Sequence, residues 1–388
     1  MAASTLGAMS REVPARLRDA APPDADVLAW GPGRANLIGE YTDFNDGFVL
    51  PMALDARTWA LGRSGGDRLR VRSLDEDGEV IVDLASGDGP TQGWGTYARA
   101  VVLAIREAGL SPVGFDGVIA SDVPPGAGLS SSAALEVALA LALLPQPPEA
   151  VPLALLCQRA ENAFVGVQCG IMDQLSSTAG VDGHALLIDC RALTVTPVPV
   201  PAELRVVLID SAVRRSLTDG RYNELREECE AAARLLGVAA LRDVDEHGLE
   251  EGASKLSPSQ LRRARHVVSD DRRTLEAAAA LASGDLPRLG ALFAESQRSM
   301  AEDLRISTPE LNALVRIATE TPGVVASRLT GAGFGGCTVN LVRAEEAESA
   351  GPRILERYHA ETGRTGRWWS STPADGAGRA SWPRQVGR

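Results

Sequence analysis

Lysine is almost missing from this chain of 388 residues, in which Lys255 is the only one. It stands in GASKLSPSQ, outside any G-x-x-x-x-G-K-[ST] pattern. The sequence therefore excludes a P-loop nucleotide site and the strand lysine of protein kinases. If the chain binds phosphates, its donors must come from other groups.

Histidine and cysteine are also scarce, and neither is arranged for metal or redox chemistry. None of the four histidines is spaced with a cysteine or carboxylate as metal ligands are, and the five cysteines form no C-x-x-C. A G-x-S-x-G hydrolase turn is missing as well. Proton chemistry is thus left to carboxylates, and the cysteines are expected to be buried thiols in a reducing compartment.

Long apolar segments and excess positive charge are both lacking. The first residues contain no apolar signal core, and the most apolar run, Leu135 to Leu144, is too short to span a bilayer. A net charge of −12 and a pI near 5.0 argue against nucleic acid or an anionic membrane as the main partner. We expect a cytoplasmic protein, and a monomer because its helices show no coiled-coil seam.

The chain is long enough for two domains of mixed α/β structure. The predicted organisation is a flexible N-terminus (1–24), an N-terminal domain (25–195) and a C-terminal domain (196–388). Short strands joined by Gly/Asp turns fill 25–84, and later strands are predicted at 114–123, 185–190, 204–211, 324–330 and 337–342. Helices are predicted at 94–109, 131–144, 151–164, 219–236, 258–283, 286–304 and 308–320.

The stretch SDVPPGAGLSSSAALEVALALALL, residues 121–144, has the pattern of an anion site. A strand leads into a glycine-rich loop, and serines stand at the start of a long helix, where N–H groups are free and the helix dipole is positive. A single serine at this position would be an ordinary helix cap. Three in a row after PPGAGL favour phosphate binding.

Two further glycine-rich stretches are ambiguous by themselves. SRLTGAGFGGCTVNLV, residues 327–342, matches G-x-G-x-x-G, but a strand follows where a dinucleotide site needs a helix. It is either a tight hairpin turn or a loop pressed against a ligand or another backbone. In CGIMDQLSSTAG, residues 169–180, Asp173 is either a carboxylate at a helix N-terminus or one that handles a proton.

Together with GRANLIGEYTDFNDGFVLPMAL, residues 33–54, these stretches resemble the galactokinase family. PPGAGLSSSAALEVA and SRLTGAGFGGC are similar to motifs of the wider GHMP superfamily of small-molecule kinases, and AENAFVG, CGIMDQ and DGRYNELREECE point to its galactokinase branch. The resemblance covers residues 25–385. It implies a two-domain α/β fold with ATP and galactose in the interdomain cleft, and transfer of a phosphoryl group to the anomeric hydroxyl.

The resemblance also implies roles for individual residues. Asp173 is the expected catalytic carboxylate, with Arg34 beside it, and Ser132 (with Ser131 as the alternative) and Glu161 are expected to hold Mg²⁺. The residues expected at the sugar are Glu40, Tyr41, Asp43, Gly170, Asp173 and Tyr222. The residues expected at ATP are Trp94, Tyr97, Pro125, Gly126, Ala127, Gly128, Leu129, Ser130, Ser131, Ser132 and Ala133.

The acidic residues of the first motif suit a sugar, because ionised carboxylates accept hydrogen bonds from hydroxyls and do not donate. Such bonds contribute about 1.5–3 kcal/mol each, enough to separate epimers. The NDG of residues 45–47 is predicted to be only a hairpin turn. Whether Asp173 removes a proton or orients the hydroxyl is left open by the sequence.

One position departs from the family pattern: galactokinases read G-E-H-T-D where this chain reads GEYTD, with Tyr41. We interpret the change as tolerated, since Glu40 still offers an acceptor to the C6 hydroxyl. The alternatives are a sugar altered at C6, either L-arabinose or, less compatibly with Glu40, galacturonate. A non-catalytic sugar and ATP sensor would be expected to lack the serine loop or Asp173, and both are present.

Overall fold

The computed structural model describes residues 11–214 and 220–383. Its helices are α1 Ala15–Ala20, α2 Gly95–Glu107, α3 Ser131–Leu143, α4 Ala150–Ala160, α5 Met172–Ala179, α6 Arg221–Leu236, α7 Glu246–Gly252, α8 Pro258–Ser283, α9 Leu286–Ser299, α10 Pro309–Thr319 and α11 Ala347–Thr362. Its strands are β1 Val27–Asn36, β2 Phe48–Val49, β3 Pro51–Ser64, β4 Arg68–Ser73, β5 Glu79–Asp83, β6 Phe115–Ser121, β7 His184–Asp189, β8 Thr194–Pro199, β9 Leu204–Asp210, β10 Val324–Leu329, β11 Cys337–Arg343, β12 Arg367–Ser371 and β13 Gly378–Ser381. None of these helices combines the length and apolar character needed to cross a membrane.

The largest sheet has six strands in the order β13-β1-β3-β6-β4-β5, and only β4 and β6 pair in parallel. Helices α2, α3 and α4 contribute to the apolar core on this sheet. Helix α3 is apolar on nearly all sides because it is buried among neighbouring elements, including β1, α2 and α4. Its first residues are thereby held firmly at the end of the loop that follows β6.

A second sheet has the order β10-β11-β9-β12, and helices α9, α10 and α11 pack on its strands. A third, small sheet has the order β2-β7-β8. Strand β8 crosses the predicted domain boundary at residue 195, and β13, from the end of the chain, joins the first sheet beside β1. At both points a strand at or beyond the predicted boundary pairs with a strand of the predicted N-terminal domain, and the boundary itself stays a prediction.

The predicted helices at 94–109, 131–144, 258–283 and 308–320 agree with α2, α3, α8 and α10 to within two residues. Helix α11 was not predicted, because Gly351 and Pro352 lie inside it and such residues usually end helices. Its apolar face, including Ile354 and Tyr358, packs against the second sheet and outweighs that preference.

Part of the N-terminus differs from the prediction. Residues 1–10 lie outside the described residues, but α1 is a helix whose Leu17 is fully buried, and Arg11 forms ion pairs with Asp55 and Asp182. These contacts fix residues 11–24 against the first sheet, so the predicted flexible segment does not extend to residue 24.

The NDG stretch also differs from a simple two-residue hairpin turn. The strands that pair are β1 and β3, and residues 37–50 form an excursion between them. The excursion is closed by backbone hydrogen bonds from the N–H of Leu37 to the carbonyl of Leu50 and from the N–H of Leu50 to the carbonyl of Ile38. Asp46 has a left-handed backbone within this excursion, and its carboxylate accepts a hydrogen bond from Arg191 at 3.2 Å. The excursion carries the acidic residues of the first motif.

Candidate active site

Three glycine-containing segments and the start of α5 enclose one cavity, which we call the central cavity. The segments are the excursion after β1, the loop 122–130 before α3 and the loop 330–336 between β10 and β11. The predicted residues that line it are Arg34, Glu40, Tyr41, Asp43, Gly126, Gly128, Leu129, Ser130, Ser131, Ser132, Glu161, Gly170, Asp173 and Tyr222. Residues far apart in the sequence are thus brought together.

Close backbone contact explains why these loops are rich in glycine. A Cβ on Gly331 would lie 2.8 Å from the carbonyl oxygen of Gly128, and one on Gly336 would lie 2.9 Å from that of Ala127. Both glycines also have positive φ. The stretch SRLTGAGFGGC, residues 327–337, which we call the third motif, is therefore a turn between paired strands, as one interpretation predicted. It is also a loop pressed against another backbone, that of the glycine-rich loop before α3, as the other interpretation predicted.

Asp173 lies in the first turn of α5, and Arg34 of β1 holds one of its oxygens. Arg34 Nε and Nη2 lie 2.8 and 2.7 Å from Asp173 Oδ1, and Arg34 Nη1 donates to the carbonyl of Gly128 at 2.6 Å. The other oxygen, Oδ2, accepts a hydrogen bond from Ser130 at 2.5 Å. Since the arginine is almost fully buried, its charge acts on the Asp173 carboxylate with little screening by solvent.

Asp43 lies within the excursion, near enough to Asp173 to be affected by its charge. Burial and the charge of Asp173 raise the pKa of Asp43 to about 6. The backbone N–H of Phe44 donates to the Asp43 carboxylate at 3.0 Å, and this hydrogen bond lowers the pKa in part. A Cβ on Gly170 would lie 2.0 Å from Asp43 Oδ2, so only glycine leaves room for the carboxylate as it stands.

Glu40 is buried and is held from two sides. Arg328 forms an ion pair with Oε2, and the N–H of Gly331 donates to Oε1 at 3.1 Å. Burial raises the pKa of Glu40, and the charge of Arg328 opposes that shift. Glu40 of the first motif is therefore fixed by Arg328 of strand β10 and by Gly331 of the loop 330–336.

Arg328 and His266 are supporting residues that the sequence analysis missed. Arg328 is fully buried and also donates to the carbonyl of Leu37 at 2.9 Å. His266 of α8 donates through Nε2 to the carbonyl of Glu40 at 3.0 Å. Arg328 belongs to the SRLTG stretch, so the sequence could have identified it as a site residue. His266 belongs to helix α8, where no sequence motif marks it as one.

Tyr41 has a left-handed backbone and lines the central cavity with a nearly buried side chain. Its hydroxyl donates to the carbonyl of Ala332 at 2.9 Å. Its ring packs on those of Tyr222 and Phe44, with centroids 5.3 and 5.8 Å away. The hydroxyl thus connects the first motif to the third.

The residues expected at the metal lie side by side. Ser132 and Glu161 both line the central cavity, and Gln174 Nε2 donates to Glu161 Oε2 at 2.8 Å and to Glu136 Oε2 at 3.3 Å. Burial and the charge of Asp173 raise the pKa of Glu161, and burial beside Glu161 raises that of Glu136. Glu136 and Gln174 were not predicted as site residues.

The other residues expected at ATP do not line the central cavity. The Trp94 indole packs against the apolar core on the six-stranded sheet and donates to the carbonyl of Asp77 at 3.3 Å. Burial and, second to it, the charge of Glu161 raise the pKa of Tyr97. Ala127 and Ala133 are buried, and Pro125 is an exposed part of the loop. None of these five residues is part of the cavity wall.

Comparison with known proteins places this geometry in a family. The chain matches the models for the GHMP kinases N terminal domain (residues 96–181), the galactokinase galactose-binding signature (19–64) and the GHMP kinases C terminal domain (277–360). It is 47% identical over 367 residues to a galactokinase of Roseiflexus sp. (strain RS-1), covering 91% of this chain and 93% of that one. The chain belongs to the galactokinase family. A galactokinase of Chloroflexus aggregans is also 47% identical, over 87% of this chain and 89% of that protein.

Solved structures agree with the family assignment. A galactokinase of Lactococcus lactis, complexed with galactose, has a TM-score of 0.86 at 28% identity, covering 91% of this chain and 95% of that one. A mevalonate kinase has a TM-score of 0.62 at 18% identity, covering 89% and 98%, and shares the fold. The resemblance to the galactokinase family and the α/β GHMP-type fold are therefore confirmed, and the chain is an enzyme of the kinase class.

Proposed function

We propose that this chain transfers the γ-phosphoryl group of ATP to the anomeric (C1) hydroxyl of D-galactose, giving galactose 1-phosphate and ADP. The observation that carries the proposal is the position of Asp173, which is paired with Arg34 and touched by the serine loop in a cavity that Glu40 and Asp43 also line. Membership of the galactokinase family supports it.

The sugar is proposed to bind among Glu40, Asp43, Gly170 and Tyr222. The carboxylates are acceptors for sugar hydroxyls, and each is already fixed by protein donors, so they need little rearrangement on binding. Asp43 must be ionised to act as an acceptor-only group. Tyr222 and Tyr41 supply the aromatic part of the wall.

The phosphates of ATP are proposed to lie along the loop 125–132 and the N-terminus of α3. Free N–H groups and the positive end of the helix dipole favour the anion there, and Gly126 and Gly128 allow close backbone approach. Arg34, which already reaches the carbonyl of Gly128, adds a positive charge at the point of transfer.

Mg²⁺ is proposed to bind at Ser132 and Glu161. Both supply oxygen, both line the central cavity, and Mg²⁺ beside phosphates usually takes only one or two protein ligands. When bound, the ion neutralises charge on the phosphates. Gln174 holds the Glu161 carboxylate in place and is itself fixed by its second contact, with Glu136.

Asp173 is proposed to accept, or to orient, the proton of the C1 hydroxyl. Arg34 holds the carboxylate in place and stabilises charge on the transferred group. Phosphoryl transfer through a loose transition state demands little proton removal before the bond forms, so positioning contributes much of the catalysis.

We further propose that the protein acts as a cytoplasmic monomer, with small molecules as its partners; its acidic charge and free cysteines support this.

The proposal is tested by ADP release with Mg-ATP against D-galactose, 2-deoxygalactose, L-arabinose, galacturonate, glucose and homoserine. By far the highest kcat/KM is expected with D-galactose. A higher value with L-arabinose would make Tyr41 the mark of a changed substrate. Binding of galactose and ATP without turnover of any sugar would favour a sensor, against which the assembled Ser130–Asp173–Arg34 group now argues.

A further inference from the structure

The loop before α3 turns through left-handed backbone at three alternate positions. Gly126 and Gly128 have φ of +68° and +79°, and Ser130 has φ of +59°. Glycine adopts such angles without a steric penalty, whereas a residue with a Cβ does not. The loop therefore meets the same requirement with glycine twice and with serine once, so a local reason for the serine is needed.

Helix capping does not supply that reason. Ser130 directly precedes α3, but its side chain makes no capping hydrogen bond to the helix. Serine caps also have extended backbone, which places the oxygen over the first turn, and Ser130 is left-handed instead. A helix-capping role for Ser130 is thus excluded.

The side chain instead reaches Asp173. Ser130 is buried, and its hydroxyl donates to Asp173 Oδ2 at 2.5 Å, while Arg34 holds Oδ1. The two contacts fix both oxygens of the carboxylate. Because the single hydroxyl proton is used on Asp173, it is not available to a phosphate oxygen at the same time.

We propose that Ser130 is a positioning residue for the Asp173 carboxylate, and that the loop keeps a left-handed serine for this purpose. The inference rests on the proposed function, in which Asp173 acts on the sugar hydroxyl and the adjoining loop holds ATP. Through Ser130 the phosphate loop and the carboxylate move as one unit. The backbone strain at Ser130 is then a feature of the site.

The decisive variant is Ser130→Gly, in which the required backbone angle becomes easy and the hydroxyl is lost. We expect a Tm equal to or above that of the wild type, kcat lower by about ten- to a hundredfold, and KM values for ATP and galactose within about twofold. Ser130→Ala, which loses the hydroxyl but keeps the strained Cβ, should lose the same activity at a lower Tm than Ser130→Gly. Ser131→Ala serves as the comparison, with its main effect expected on the KM for ATP.

Three results would overturn the inference. The first is an unchanged kcat and unchanged KM values in Ser130→Gly. The second is a raised KM for ATP at unchanged kcat, which would make Ser130 a phosphate ligand. The third is a fall in both Tm and kcat, which would make Ser130 a structural residue. In an Asp173→Asn background, Ser130→Gly should add no further loss. Wild-type protein that turns over no galactose would defeat the proposed function, whereas active wild type with an unaffected Ser130→Gly would defeat only this inference.

Discussion

The guanidinium of Arg328 and the carboxylate of Glu40 form an ion pair beside the central cavity, and neither side chain is exposed by more than 2%. Arg328 comes from β10 and Glu40 from the excursion after β1, so the pair joins two of the three motifs. A buried charge is tolerated only with its partner. The pair therefore couples the stability of the fold to the placement of a proposed sugar acceptor.

Replacing Arg328 with Met should destabilise the protein by about 3–5 kcal/mol, because the Glu40 carboxylate would be left buried and unpaired. In the protein that still folds, the KM for galactose should rise while that for ATP changes little. Urea unfolding and steady-state kinetics at saturating co-substrate measure both effects.

The matched control is Arg57→Met, which removes another buried arginine, paired with Asp375 and stacked near Trp30 and Trp59, outside the central cavity. It should lower stability without altering the galactose KM. The double variant Glu40→Gln/Arg328→Met should recover part of the lost stability but not sugar affinity. An unchanged galactose KM in folded Arg328→Met would show that the pair only supports the fold.

Galactose binding should weaken as the pH falls through about 6, because Asp43 has a raised pKa near that value and accepts hydroxyl hydrogen bonds best when ionised. Calorimetric titration with galactose from pH 7.5 to pH 5 measures the midpoint. Since the charge of Asp173 contributes to the raised pKa, Asp173→Asn should move the midpoint to lower pH. Asp43→Asn should bind weakly with a flat profile over this range; a midpoint unmoved in both variants would assign the titration to another group.

Alanine at Gly170 should raise the galactose KM by about tenfold or more, because the new Cβ would overlap Asp43 Oδ2 and displace the carboxylate. The KM for ATP should change little. Gly166→Ala is the control from the same segment: it has open space for a Cβ but a φ of +94°, so it should cost about 1 kcal/mol of stability and leave the galactose KM unchanged. Equal kinetic effects of the two variants would point to general loop strain.

Tyr41→Phe should cost about 1 kcal/mol of stability, because the Ala332 carbonyl loses its donor, and should change kcat/KM for galactose by less than about threefold. The reason is that the Tyr41 hydroxyl is already used within the protein. A loss of tenfold or more confined to sugars that carry a C6 hydroxyl would contradict this and assign the hydroxyl to the substrate.

The sequence predicted those parts of the fold whose signals are local. Helix α8 has its predicted bounds, 258–283, and the structure shows that its end signals are local: Ser257 and Gln260 form a capping box, Pro258 begins the helix and Gly284 follows its last residue. Helix α11 was missed because its local signals are those of a helix breaker, and only packing on the second sheet explains it.

The candidate site likewise has a part that local sequence predicts and a part that only the fold explains. Glycine-rich loops and the residues in them could be predicted, since close backbone approach needs glycine in the sequence itself. The partners that fix Glu40, the role of His266 and the contact between Ser130 and Asp173 depend on segments that meet only in the fold. The sequence alone does not show which group the hydroxyl of a serine in such a loop contacts.

The central claim, that Asp173 acts on galactose in an ATP-dependent kinase, is tested most directly by comparing wild type with Asp173→Asn. ADP release with Mg-ATP and galactose is measured beside calorimetric binding of galactose at pH 7.5. We predict turnover by the wild type, and in the variant a loss of kcat of about a thousandfold or more with galactose affinity retained within about tenfold. A variant with near-wild-type kcat would contradict the account.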